Sequence, residues 1–238
     1  MKFKTIINSI FPTGLSCLCC NRDIFDDEYN ICDMCKNTLP YLTGKLCEHC
    51  GEPLVSDGKY CIHCKGSEFY CQKIVSPFIY TNVIKSFVVG LKYNGKKYYA
   101  NCLGTYMAQT FKQHNIKCDL IIPVPLCEKR AKERGYNQAE LLAHVVSKKV
   151  NLEMNNKILL RIKQTPTQVN LSHYERNQNM IDAFKVNNKK EIKGKTILLI
   201  DDVYTTGATI QECAKTLIIA GAKKVYALTA AHTILKND

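Results

Sequence analysis

The chain has 238 residues, of which 46% are hydrophobic and 23% charged; that balance excludes a wholly disordered chain and gives room for one medium domain with an appendage. No apolar run approaches the roughly 18 to 20 residues that a membrane-spanning helix needs, so a soluble protein is expected. The formal charge of +12 is uneven: residues 1–71 hold 7 Lys and Arg against 9 Asp and Glu, and residues 72–238 hold 26 against 12. Ten of the 14 cysteines also lie in the first 71 residues. Two independent quantities change at one place, so we expect two domains, 1–71 and 72–238.

Met1 to Phe11 carries lysines followed by Ile6, Ile7, Ile10 and Phe11. It lacks the apolar centre and small-residue cleavage site of a signal peptide; we expect a short amphipathic helix docked on the protein, with a membrane-surface anchor as the alternative. The expected compartment is the cytoplasm, with the inner face of the membrane as a peripheral location. Clustered cysteines in a reducing compartment hold metal more often than they form disulfides.

Four Cys-x-x-Cys pairs follow, Cys17/Cys20, Cys32/Cys35, Cys47/Cys50 and Cys61/Cys64. Two residues between thiolates let one tight turn aim both sulfurs at a tetrahedral zinc, and two such turns close a structural site. Asn21 and Gly51 follow the second cysteine of their pairs, where tolerance of positive φ helps turn backbone N–H groups toward sulfur. The pattern repeats from Cys17 to Cys47, which predicts tandem zinc knuckles with two structural zinc ions. Spacing leaves sequential and interleaved ligand pairing both open, with Cys19, Cys71, His49 and His63 as spare donors. Eight thiolates and two zinc ions bring this segment to about −6, so it is expected to contact protein, its own basic domain included, and not to grip nucleic acid.

From Ile74 the pattern becomes that of βαβ units around a mostly parallel sheet. Strands are predicted at Ile74–Tyr80, Asp119–Val124, Lys157–Leu160, Ala183–Val186, Thr196–Asp201 and Lys224–Ala230. Helices are predicted at Asn82–Lys92, Tyr98–His114, Asn137–Val150 and Thr206–Ala220, the last ended by Gly221. Arg161 to Asp182 is polar and aperiodic, a long loop of the functional kind. In Thr196-Ile-Leu-Leu-Ile-Asp-Asp-Val-Tyr-Thr-Thr-Gly-Ala-Thr209, a buried strand delivers two carboxylates at its carboxyl end, where open α/β sheets bind ligands. The turn that follows, Thr205, Thr206, Gly207, Ala208 and Thr209, offers hydroxyls, backbone N–H groups and a helix start, with Gly207 admitting a phosphate to the main chain. It lacks the Gly-Lys-Ser/Thr of a nucleoside-triphosphate P-loop.

This segment resembles the phosphoribosyl pyrophosphate signature of type I phosphoribosyltransferases. With the cysteine-rich front end, Leu91-Lys-Tyr93, Pro123-Val-Pro125, Arg134-Gly-Tyr-Asn-Gln138 and Thr165-x-x-Gln168, the chain is similar to the ComF family of competence-associated, phosphoribosyltransferase-like proteins over nearly its whole length. The resemblance implies an open, mostly parallel α/β sheet with helices on both faces. It implies that Asp201 and Asp202 engage the ribose, directly or through magnesium, and that Thr205 to Thr209 hold the 5-phosphate. Val124 and Pro125 would form the pyrophosphate loop, Arg130 and Arg134 would face the diphosphate, and Arg161, Gln168, Arg176 and Asn177 would belong to the mobile hood. The implied ligand is phosphoribosyl pyrophosphate with magnesium; implied partners are single-stranded DNA and other competence proteins such as a DNA-translocating helicase. Two functions follow: a phosphoribosyltransferase with an unnamed acceptor, or a non-catalytic DNA-binding adaptor that only binds the ligand.

Two weaker patterns accompany these motifs. Lys92, Lys96 and Lys97 beside Tyr93, Tyr98 and Tyr99 make a basic and aromatic cluster suited to stacking single-stranded bases, or ordinary core tyrosines. Lys129 to Arg134 reads equally as a solvated helix face and as part of the binding edge. His232 is a poor ligand candidate, and Cys102, Cys118, Cys127 and Cys213 read as interior.

Overall fold

The protein is represented by a computed structural model that describes residues 16–25, 27–55, 57–163 and 180–234. The expected amino-terminal helix at Met1 to Phe11, and Gln168, Arg176 and Asn177 of the expected hood, lie outside the described residues.

The two cysteine knuckles repeat one geometry. Ser16 bridges Asp23 and Leu46 bridges Pro53, each antiparallel, and within them Cys17 N–H donates to Arg22 O at 2.7 Å and Cys47 N–H to Glu52 O at 2.8 Å. Asn21 and Gly51 both adopt positive φ, 59° and 80°, as the turn chemistry demands. A single helical turn, Asp33–Lys36, carries Cys35.

The larger part is built on β1 Cys71–Val75, β2 Phe78–Ile79, β3 Leu120–Pro123, β6 Thr196–Tyr204 and β7 Lys224–His232. They form one sheet in the order β1-β7-β6-β3, with β2 also on β7, and every pairing is parallel. β1 and β2 are two pieces of the expected strand Ile74–Tyr80: Ile74 pairs with Ala227 and Phe78 with Ala231, so the register survives the interruption at Ser76 and Pro77. Proline cannot donate to the ladder, which explains the break. Helices α1 Asn82–Tyr93, α2 Tyr99–Gln113, α3 Glu128–Arg134, α4 Gln138–Val150 and α5 Ala208–Ile219 complete the architecture. Asn137 caps α4 by accepting from Ala139 N–H at 3.0 Å, and Gly221 at φ 108° follows α5.

Two expected sheet members lie elsewhere. β4 Leu159–Arg161 and β5 Phe184–Val186 pair antiparallel in a separate two-stranded piece; their alternating burial, unlike the continuous burial of β3, suits a flap with one wet face. β6 also runs three residues beyond Asp201, to Tyr204, so the carboxylates sit within the strand and not past its end.

The knuckles are part of both cores. The first contributes Cys17, Ile24, Ile31 and Leu39 to the apolar cluster that holds Phe87, Leu103 and Leu142. The second contributes Cys47, Cys50, Cys61 and Cys64 to the cluster on the opposite face, with Leu199, Cys213 and Leu217. Backbone bonds stitch the seam: Ile74 N–H to His49 O, Leu42 N–H to Pro77 O and Ile79 N–H to Pro40 O, all within 2.9 Å. Docking is thus mostly apolar and backbone-mediated, with Lys149 and Glu28 supplying one ion pair at 3.0 Å. Among the described residues no helix is long and apolar enough to cross a membrane.

Candidate phosphoribosyl site and zinc centres

The thiolates pair sequentially. Cys17, Cys20, Cys32 and Cys35 form one group and Cys47, Cys50, Cys61 and Cys64 the other, with all sulfurs of a group within 4.8 Å. Zinc at about 2.3 Å from each sulfur puts tetrahedral ligands about 3.8 Å apart; Cys20 and Cys32 are 3.7 Å apart, as are Cys50 and Cys61. Cys19 N–H and Cys32 N–H each point at Cys17 Sγ at 3.4 Å. Such donors outweigh burial and hold the Cys17 thiol down to about 6, and Cys47 is likewise lowered. Both clusters fit a structural zinc. The spare donors stay out: burial and the Cys17 charge push Cys19 up to about 12, Cys71 donates to Lys73 O, and His49 stacks on Phe69 at 3.5 Å.

At the carboxyl edge of the sheet, a cavity of about 330 Å³ is lined by Asp201, Asp202, Thr205, Thr209, Val124, Pro125, Arg130, Arg134 and Arg161 among others. Parallel pairing of β3 on β6 matches Pro123 with Ile200, which sets Val124 and Pro125 beside the acidic pair. Val124 N–H extends that ladder to Ile200 O at 2.9 Å. Arg130 and Arg134 come from α3, so the charged segment Lys129 to Arg134 splits its duties: these two face the cavity, and Lys132 pairs with Glu128 at 2.7 Å in solvent. Arg161 arrives at the end of β4, its guanidinium 5.6 Å from the Phe184 ring centroid. Burial and neighbouring Arg130 press its pKa below the usual arginine range, yet it stays a cation.

The segment Arg134 to Gln138 works as a clamp. Arg134 Nη1 donates to Gln138 Oε1 at 2.9 Å and lies 4.8 Å over the Tyr93 ring. Tyr136 hydroxyl donates to Leu91 O at 2.5 Å, and Asn137 Nδ2 to Val124 O at 3.0 Å. One short stretch therefore ties the end of α1, the start of α4 and the loop after β3 together around the cavity.

Lys92 is the site residue that sequence reasoning missed. It projects from the last turn of α1, and its Nζ lies 2.7 Å from Asp202 Oδ1, with side chains 21% and 4% exposed. Burial works against its charge, but Asp202 and Asp201 more than compensate, so the ammonium is held above the usual lysine range. Burial and adjacent Asp202 push Asp201 up to about 7, although Lys92 and Arg161 oppose the shift. Asp201 Oδ1 accepts from Asp202 N–H at 2.8 Å, and Asp202 Oδ2 is buried with no hydrogen-bond partner. Tyr80, Tyr93, Leu126, Gln138 and Val203 also line the cavity. The signal for Lys92 was the Leu91-Lys-Tyr93 motif itself: a cation one residue past a buried helical position, followed by an aromatic.

The turn, the lysine and tyrosine cluster and His232 each take a distinct place. Thr205 and Thr209 line the cavity, but Thr206, Gly207 and Ala208 form the back of the bend and are not among its lining residues. A Cβ on Gly207 would lie 2.9 Å from the Tyr204 hydroxyl, so the missing side chain admits the Tyr204 ring, and φ of 79° independently requires glycine. The lysine and tyrosine cluster divides as well. Lys92 and Tyr93 face the cavity, Tyr99 is buried in a stack on Phe87 at 4.4 Å, and Tyr98 is exposed, so the three tyrosines do not share one surface. His232 stays away from the cavity, fully buried between Glu52, at 3.7 Å, and the Tyr204 ring.

The chain matches two domain families, a double zinc ribbon over residues 6–65 and a phosphoribosyl transferase domain over residues 103–236. This makes it a phosphoribosyltransferase-like protein with an amino-terminal zinc module. It is 31% identical to "Competence protein F" of Haemophilus influenzae over 218 residues, 88% of this chain and 93% of that protein. It is 26% identical both to "Competence protein ComFC" of Bacillus subtilis, over 87% and 90% of the two chains, and to "DNA utilization protein YhgH" of Escherichia coli K12, over 92% and 97%. The chain belongs to the ComF family of phosphoribosyltransferase-like competence proteins. A glutamine phosphoribosylpyrophosphate amidotransferase from B. subtilis aligns with 54% of this chain and a quarter of its own length, at TM-score 0.38 and 18% identity, too slight a likeness to carry an argument.

Proposed function

We propose that the cavity binds phosphoribosyl pyrophosphate with magnesium, and that the protein uses this ligand in handling DNA during uptake, with residues 1–71 as the zinc module and 72–238 as the ligand domain. The observation that carries the reading is the opposition of charge in one hollow: three arginines face two adjacent carboxylates above the turn into α5. A phosphorylated sugar diphosphate needs that arrangement, cations for the diphosphate and acids for the ribose hydroxyls. Asp201 and Asp202 suit magnesium because they supply hard oxygen donors, one of them buried without a partner. When bound, the ion would neutralise diphosphate charge. The chain does the rest: Arg130, Arg134 and Arg161 draw on the diphosphate, Thr205, Thr209 and the first turn of α5 hold the 5-phosphate, and Tyr93 walls the sugar side. Gln168, Arg176 and Asn177 belong to the segment assigned to the hood, whose closure would exclude water.

The function in DNA uptake rests on the names of the relatives. The test is titration calorimetry with phosphoribosyl pyrophosphate and magnesium, combined with an assay of pyrophosphate release in the presence of candidate bases and single-stranded DNA. Heat that disappears with Asp201→Asn supports the site. Release supports transfer of phosphoribosyl to an acceptor, and binding without release supports an adaptor. No heat at millimolar ligand refutes the proposal.

A further inference from the structure

Parallel strands all begin at one edge of a sheet, and here that edge is basic. Thr196 and Lys224 open β6 and β7 as register partners, Lys223 precedes Lys224, Lys117 precedes β3, and Lys73 lies in β1. Lys73, Lys117, Lys223 and Lys224 surround a groove of about 470 Å³ floored by Tyr226. Among the described residues none of the four pairs with a carboxylate, and nearby Asp119 is engaged by Thr196 N–H at 2.7 Å. Four cations in one concave strip, none in an ion pair, repel one another, a cost that a polyanion would relieve.

The groove does not stop there. Lys73 and Tyr226 also line a second hollow of about 700 Å³, to which Tyr60 and Phe69 are added from the zinc-ribbon side. Tyr60 is about half exposed, and Phe69 is held rigid by its stack on His49. Glu48 is the acidic residue of this stretch and lies 3.9 Å from Lys59. The composite track therefore combines ammonium groups with aromatic rings. Thr196 at this edge and Asp201 in the ligand cavity are separated by five residues of one extended strand, about 16 Å, so the two sites are distinct.

We infer that this amino-edge groove, and not the Tyr93 to Tyr99 region, seats a single-stranded nucleic acid, with lysines on the phosphates and aromatic rings beneath the bases. A concave track with recessed rings fits unpaired bases, which can turn toward a protein face. A duplex buries its base faces and calls for a protruding reading element, and a flat lipid surface would not reach Tyr226. The inference takes from the proposed function only the identity of the polyanion; it does not need phosphoribosyl pyrophosphate to bind.

The test uses the full zinc-loaded protein and a fluorescein-labelled 20-mer of deoxythymidine, followed by anisotropy across a salt series. The variant Lys117→Glu/Lys223→Glu/Lys224→Glu should bind about tenfold or more weakly, and the slope of log affinity against log salt should fall by about 2, from roughly 0.7 per lost phosphate contact on a single strand. A charge-matched variant, Lys148→Glu/Lys157→Glu/Lys185→Glu, should lose less than about threefold, since these lysines are exposed outside the groove. Calorimetric binding of phosphoribosyl pyrophosphate should be unchanged in both, which separates failure of this inference from failure of the ligand site. Equal losses in the two variants, an unaltered salt slope, equal competition by a 20-base-pair duplex, or preferential capture by phosphatidylserine vesicles would each overturn it.

Discussion

Lys92→Met removes the ammonium that faces Asp202 while keeping the length of the side chain. It leaves a carboxylate that is 4% exposed next to a second buried carboxylate and short of its 2.7 Å partner. Removing one member of a buried ion pair costs about 3–5 kcal/mol, mostly because the other charge stays behind. Lys92 is a fifth exposed, and water can partly replace it, so the lower end, about 3 kcal/mol, is appropriate. For a chain of this size each kcal/mol moves the melting temperature by about 2–4 °C, so a drop of about 6–12 °C is expected in thermal unfolding followed by circular dichroism. Lys92→Met/Asp202→Asn should recover most of the loss, because the carboxylate that lost its partner is gone and Asp201 keeps the nearby Arg161 cation. Millimolar magnesium should stabilise Lys92→Met more than the natural protein, since a divalent ion can stand beside two carboxylates where the ammonium stood. If Lys92→Met melts within 1 °C of the parent and the double variant melts lower than either single change, the pair is not holding this edge together and the electrostatic account of the cavity is wrong.

Asp201 titrates at about 7 in the folded protein because of burial and Asp202, far above an ordinary carboxyl. A raised folded pKa means that the folded state binds the extra proton between about pH 4 and pH 7, so this group's contribution falls as pH rises through that window. Asp201→Asn should therefore gain stability relative to the parent as pH rises from about 4 to about 7 in denaturant titrations, and a constant difference across that window would contradict the shift. Cys20→Ser should release one of two zinc equivalents in a colorimetric metal assay, whereas Cys19→Ser should retain both; equal loss would reopen the ligand assignment. Gly207→Ala must place a side chain at φ 79° and a Cβ 2.9 Å from the Tyr204 hydroxyl, at a cost of about 1–2 kcal/mol for the left-handed backbone alone. It should weaken phosphoribosyl pyrophosphate binding in calorimetry, with Gly207→Ala/Tyr204→Phe recovering little, because the ring carbons 3.0 and 3.2 Å from that Cβ remain and the backbone cost is unchanged.

The parts that were legible in the sequence are those with short-range causes. Cys-x-x-Cys spacing, a residue that tolerates positive φ after each turn, and an apolar strand running into Asp201, Asp202 and a Thr-Thr-Gly bend each express chemistry completed within a dozen residues. Strand ends were less legible. Whether β6 stops at Asp201 or continues to Tyr204 depends on β7, whose His232 pairs with Tyr204, and that partner lies outside any local window. Leu159–Arg161 and Phe184–Val186 were recognisable as extended segments, but nothing local says that they pair with each other and not with the main sheet.

The sequence by itself determined the zinc chemistry, the family and the acidic pair with its Thr-Thr-Gly turn, because ligand type, spacing and turn conformation are properties of adjacent residues. Only the tertiary structure decided that Lys92 reaches Asp202 across 110 positions of chain, that the thiolates pair sequentially, and that the two ribbons pack into opposite cores. It also decided that four lysines from three separate segments share one groove. Parallel register aligns strand starts on one edge and strand ends on the other, and that alignment is a fact about neighbours in space to which no single segment has access.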